Sequence, residues 1–288
     1  MINIIKTKGF KITAALLALV LTVSCIAWSA TRVHAQELEI NNTNVQTFAG
    51  SRAITNGKLV GAADASVDMG VFVTGGSADK YNASNMHWHH NGDHWDCTRP
   101  ALFEGASSQQ KIYAYSPFVF DTDGVIHVTA SEQVDWLVAT PQELTSSNVN
   151  LNMTHALTKL VVNPSTFGSE VDNTSIAKIE VGGMYASGDL KISDNSWSNL
   201  SSANATLEMK NNELLVIPMA DCESFDVVIT MSDGKKFTTT VSLAGSDNNL
   251  AAGTQYNISL QVGQDKVTIG GITAMPWGYA AGGVLETE

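Results

Sequence analysis

Charge is scarce in this sequence of 288 residues: 15% of its side chains are charged, with 16 Lys and Arg against 28 Asp and Glu. No cluster of cations stands out, and a net charge of −12 repels phosphate, so a nucleic-acid partner is excluded. Cysteine is nearly missing. Of the three present, only Cys97 and Cys222 lie beyond the N-terminal segment, and two so far apart make no disulfide framework. No unit of roughly 20 to 50 residues repeats, which excludes solenoids and propellers. No stretch keeps apolar residues at helical spacing over three turns. A Walker loop, a dinucleotide fingerprint and a Gly-x-Ser-x-Gly elbow are all absent, and no catalytic constellation is visible, so the chain reads as a non-enzyme. Disorder is excluded as well, because a hydrophobic content of 44% supplies ample surface to bury.

What is present begins with an export signal over residues 1–35. Lys6, Lys8 and Lys11 form a basic head, and residues 12–30 form an apolar run. Arg32 completes four basic and no acidic residues in this segment, leaving 12 basic against 28 acidic for the remainder. Two exits compete. Val33-His-Ala35 before Gln36 suits ordinary signal peptidase, with small residues at −3 and −1. Leu21-Thr-Val-Ser-Cys25 resembles a bacterial lipobox that would lipidate Cys25 and anchor the chain in the outer membrane. An uncleaved anchor is the third option, since the run is long enough to span a bilayer.

The body reads as strands and turns. Segments such as 70–74, 111–115, 124–129, 177–181, 214–217, 225–231, 236–243 and 256–262 are rich in Val, Ile, Thr and aromatics at period two. Asn91-Gly92, Asp123-Gly124 and Asp233-Gly234 supply hairpin turns. The segment 154–162 reads as either a short helix or a strand. The fold class is all-β, as two sandwiches in tandem. The polar stretch 140–148 marks the boundary, giving a first domain over 36–145 and a second over 146–288.

An ordered set of segments resembles the fimbrillin family, the type V pilin-like proteins of Bacteroidales. In the first half these are Ser51-Arg-Ala53, Met69-Gly-Val-Phe72, Tyr81-Asn82, Trp95, Lys111-Ile-Tyr-Ala-Tyr-Ser-Pro117 and Asp135-Trp-Leu-Val-Ala-Thr140. In the second half they are the segment from Asn150 to Leu160, Gly253-Thr-Gln-Tyr256 and Ile272-Thr-Ala-Met-Pro-Trp277. The resemblance implies transthyretin-like sandwiches, lipidation, and display on the cell surface as a fimbrium subunit or adhesin. It also implies partners: other fimbrial subunits joined by β-strand donation, and a host or bacterial surface ligand. In assembling members a trypsin-like protease removes the first strand after a basic residue. Arg52 is the first basic residue after position 35, so a cut between Arg52 and Ala53 would release 36–52, with Leu38, Ile40, Val45 and Phe48 on the leaving strand. Residues 275–288 are the expected donor, although the short tail after Trp277 tilts the reading toward an accessory or tip-like subunit.

The chemically suggestive stretch is Met86-His-Trp-His-His-Asn-Gly-Asp-His-Trp-Asp-Cys97. With Asn91-Gly92 as a two-residue turn, the pairs are His90 with Asp93, His89 with His94, Trp88 with Trp95, His87 with Asp96 and Met86 with Cys97. One face then carries the tryptophans. The other gathers His87, His89, His94 and Asp96, a donor set suited to Zn²⁺ or Cu²⁺, although a solvated hairpin face accounts for it equally simply. Trp88 and Trp95, were they exposed, would suit stacking on sugar rings. The runner-up function is therefore a monomeric surface lipoprotein that binds glycans or other ligands through sandwich loops.

Overall fold

The computed structural model describes residues 36–45, 53–55, 58–60, 67–90, 94–168, 171, 175–244, 248–263 and 265–277. The expected signal segment, including Cys25 and Ala35, lies outside them, as does Arg52. Every regular element among the described residues is a strand or a single 3₁₀ turn, so the fold is all-β as expected.

The first half of the chain builds a seven-stranded sheet. Its order is β2 (Glu39–Val45), β12 (Asn148–His155), β11 (Leu137–Glu143), β9 (Lys111–Ser116), β5 (Val67–Thr74), β6 (Ala83–His90) and β7 (Trp95–Asp96). Two short ladders accompany it: β1 (Gln36–Glu37) with β8 (Leu102–Phe103), and β3 (Ala53–Thr55) with β4 (Lys58–Val60). The second half forms two four-stranded sheets. One runs β18 (Glu213–Val216), β13 (Thr158–Phe167), β21 (Thr254–Val262), β22 (Val267–Pro276). The other runs β17 (Ala203–Glu208), β14 (Ile176–Tyr185), β19 (Ser224–Met231), β20 (Lys236–Ser242). Their inner faces meet as a sandwich around Leu160, Val181, Leu214, Val227, Ile229 and Ile258. The ambiguous segment near 158 resolves as strand because β13 lies between two partners, parallel to β21 and antiparallel to β18.

Two expectations change. The polar stretch 140–148 does not interrupt the first sheet. β11 continues to Glu143 with Pro141 in an irregularity between Ala139 and Gln142, where a missing N–H costs no ladder bond. β12 then returns antiparallel to β11, so the sheet continues past the expected boundary at 145/146 to His155. Asp123-Gly124 also makes no hairpin. Its turn launches β10 (Val125–Thr129), which pairs with β15 (Ser187–Lys191) of the second half, and β16 (Ser196–Ser198) extends that ladder. Burial explains the choice, because Ile126 and Val128 enter a core that a local hairpin would leave open. Asp233-Gly234 does join its neighbours directly, with Gly234 at φ +86 between β19 and β20.

The seven-stranded sheet is covered on both faces. One face packs Met69, Val71, Ile112, Ala114, Leu151 and Met153 into a core of its own. The other turns Phe72, Tyr115 and Val138 onto residues of the second half, including Leu190, Leu215, Ile217 and Trp277. Trp277 is 4% exposed and stacks on His155, with ring centroids 3.7 Å apart. Both carboxylate oxygens of buried Asp135 lie 3.0 Å from His155 Nδ1, which fixes the ring beneath the indole. Replacing Trp277 with alanine removes this plug, and urea unfolding should show a loss of about 3–5 kcal/mol, as for other buried aromatics.

Candidate functional site

Two features of the first half offer candidate sites: the edge formed by its first strand, and the histidine face of β6.

β2 lies at the margin of the seven-stranded sheet and pairs parallel to β12 from Glu39↔Asn148 to Val45↔Met153, with one irregularity after Val149. On β12 alternate residues Val149, Leu151 and Met153 are buried and Asn148, Asn150 and Asn152 face out. That alternation makes one side of the strand a hydrophobic socket. Leu38 and Ile40 fill it at 2% and 4% exposure. Backbone bonds pin the entry: Leu38 N–H donates to Ala101 O at 2.9 Å and Glu39 N–H to Ser147 O at 2.8 Å. Burying each of these two side chains is worth about 1.5–3 kcal/mol, so β2 seals the core even though it has a sheet neighbour on one side alone. Gln36, the residue that would follow signal cleavage, is exposed in β1, and Ala53 opens β3 opposite Val60.

The histidine hairpin forms with a changed register. His89 pairs with Asp96 and His90 with Trp95, which shifts the pairing by two from the expected one and leaves residues 91–94 as the connection. A shift of two keeps every side chain on its face. Core packing selects it: Trp88 is 3% exposed, Met86, Trp95 and Cys97 lean on the same core, and the His90 and Trp95 rings meet edge-on at 5.0 Å. Sugar stacking on Trp88 is thereby ruled out. Cys97 and Cys222 are both free thiols.

The outer face does not gather its four expected ligands. Asp68 of β5, directly opposite His89, takes His89 Nδ1 at 2.6 Å and His87 Nε2 at 3.0 Å on a single carboxylate oxygen. A carboxylate only accepts, so both imidazoles donate to it. His94 is engaged with Asp96 at 2.9 Å instead. Among the described residues no group of three or more His, Cys, Asp or Glu is arranged to hold a metal ion. Asp68 is the residue that reading of the hairpin missed. Its signal was parity, since Asp68 is the polar residue next to inward Met69 on the neighbouring strand. Burial pushes the Asp68 pKa upward, but the hydrogen bonds from His89 and His87 outweigh it and hold the carboxyl below the ordinary carboxylate range.

Two outcomes test this geometry. Ile40→Asp should free the N-terminal strand, and limited proteolysis should remove residues before β3 faster than in the wild type. Because the folded pKa of Asp68 is depressed, its contribution is complete above the ordinary carboxylate pKa and fades as pH falls through the folded value. The gap in urea midpoint between wild type and Asp68→Asn should accordingly be widest near neutrality and close in acid.

A family model described as fimbrillin-like matches residues 51–277, beginning just after β2. Among solved structures, a proposed cell adhesion protein from Bacteroides uniformis has a TM-score of 0.66 at 16% identity, over 84% of this chain and 99% of its own. A second, from Bacteroides ovatus, has a TM-score of 0.62 at 17% identity, over 84% of this chain and 98% of its own. At such identities the likeness establishes the fold alone. Comparison with curated protein sequences gives no match. The family match covers most of the chain and agrees with the resemblance its segments carry, so this chain belongs to the fimbrillin-like family, whose members are fimbrial and adhesive proteins of the cell surface.

Proposed function

We propose that this fimbrillin-like chain joins other fimbrial subunits by strand exchange, with the segment before Arg52 as the part removed. The observation that carries the reading is the seating of β2. It is a marginal strand, parallel to β12, and it inserts Ile40 into the core of the first half, with Leu38 just before it buried there too. Cutting after Arg52 would detach it from the rest of the chain. Its departure would bare the backbone of β12 beside the socket formed by Val149, Leu151 and Met153. An edge of this kind recruits another strand, whose backbone restores the ladder and whose apolar side chains refill the socket. A strand from a neighbouring subunit satisfies both demands. Lipidation at Cys25 would hold the assembly to the outer membrane.

Intact mass measured before and after brief treatment with a trypsin-like protease tests the reading. A new N-terminus at Ala53, together with a ladder of higher oligomers, is the expected result. Arg52→Ala should keep the chain intact and monomeric. A chain that resists cutting at Arg52, or that is cut and stays monomeric, overturns strand exchange and leaves an accessory adhesive subunit.

A further inference from the structure

The segment that follows β9 is held in place from below and presents aromatic rings above. Tyr115, fully buried, has its one hydroxyl proton within reach of two acceptors, Asn85 Oδ1 at 2.8 Å and Val119 O at 2.9 Å, and its oxygen accepts from Val119 N–H at 3.1 Å. Asn85 Nδ2 donates to the same Val119 carbonyl at 2.9 Å. Both backbone polar groups of Val119 are therefore tied to the interior. Gly70 makes room for this arrangement, since a Cβ there would collide with the Tyr115 ring and sit 2.6 Å from Asn85 Oδ1.

Phe118 and Phe120 flank the tethered residue and meet edge to face at 4.9 Å. Phe120 is 75% exposed, and with Phe118 against it forms a small apolar patch at the surface. The Phe118 ring lies parallel to His87 at a centroid distance of 4.2 Å, and His87 in turn meets Asp68, which holds His89. The result is a continuous ridge: two phenyl rings, an imidazole, a carboxylate, and a second imidazole. Each imidazole spends one nitrogen on Asp68.

We infer that this ridge is a binding site for a neutral glycan, with a pyranose ring lying on Phe120 and its hydroxyls reaching His87, Asp68 and His89. The choice of ligand follows from size and charge. Among the described residues the exposed large hydrophobics are Phe120, Val125 and Leu200, so the apolar patch is about the size of a sugar ring. A stable protein partner would need roughly 800 Å² from each side, which two rings cannot provide. Sugar C–H faces suit aromatic rings, while hydroxyls both donate and accept and so match a mixed imidazole and carboxylate rim. A chain with a net charge of −12 that places a carboxylate at the site disfavours sialylated or sulfated sugars. Because the ridge is independent of the β2 edge, the site works in the uncut monomer, and its failure would leave strand exchange untouched.

The test is saturation-transfer NMR and titration of the full uncut chain with cellohexaose, xylohexaose, N-acetyllactosamine, sialylated N-acetyllactosamine and desialylated mucin. At least one neutral sugar should bind and bind better than the sialylated form. Phe120→Ala should weaken that binding by about tenfold or more, the scale of one lost aromatic contact, and Asp68→Asn should weaken it as well. Leu200→Ala, which alters an exposed apolar residue outside the ridge, should bind as wild type. Binding confined to mucin and lost in Phe120→Ala would identify a protein-borne glycan, whereas binding to the free hexaoses would identify a polysaccharide. No binding to any neutral sugar or to desialylated mucin, or full binding by Phe120→Ala, overturns the proposal.

Discussion

The outer edge of β12 has to be covered. A strand that buries every second side chain on one face and leaves its backbone polar groups unpaired on one edge costs free energy until another strand completes it. β2 provides that cover, with backbone pairing along its length, while its Ile40 and the preceding Leu38 fill the socket. The rest of the first half is built outward from this closure: β11 pairs with the other side of β12, and β9, β5 and β6 follow in turn. At its far end β12 delivers His155 to the indole of Trp277, so one strand carries both the replaceable edge and the contact with the second half.

The two halves are joined more firmly than a linker would join them. The second face of the seven-stranded sheet is buried by residues from beyond position 185, and β10 of the first half is a partner of β15 of the second. Polar pairs sit within this junction. Asp135 orients His155, and Gln133 bridges by donating to Leu215 O at 2.9 Å and accepting from Leu215 N at 2.8 Å. Such a junction resists rotation of one half against the other, because turning either one would strip partners from buried polar groups.

Much of this was readable in the residues themselves. The alternation within 225–231 and 236–243, with Val227, Ile229 and Val241, announced strands of the second sandwich, whereas the strand from Asn148 to His155 was hidden because its start looked like part of a boundary. The even spacing of Met86, Trp88 and His90 against His87 and His89 assigned the hairpin faces, and those faces survived although the register moved. What was hidden depended on partners distant in sequence. Nothing near Asp123-Gly124 reveals that β10 pairs with residues around Asp189. Pro141 looked like a break because its place in a bulge depends on β9 alongside. Asp68 lay outside the histidine motif and became its organiser through strand pairing alone.

The position of Trp277 bears on the order in which the chain can fold. It is buried in a core that also contains Phe72 and Tyr115, some two hundred and one hundred and sixty positions earlier. As a chain is synthesised and threaded outward, the first sheet can form its ladders early, but one of its faces stays open until nearly all of the remaining residues have followed. Contacts that span so much sequence are slow to close. For a protein of the cell surface, the first half therefore stays open on one face until the segment carrying Trp277 has followed, and it locks only then.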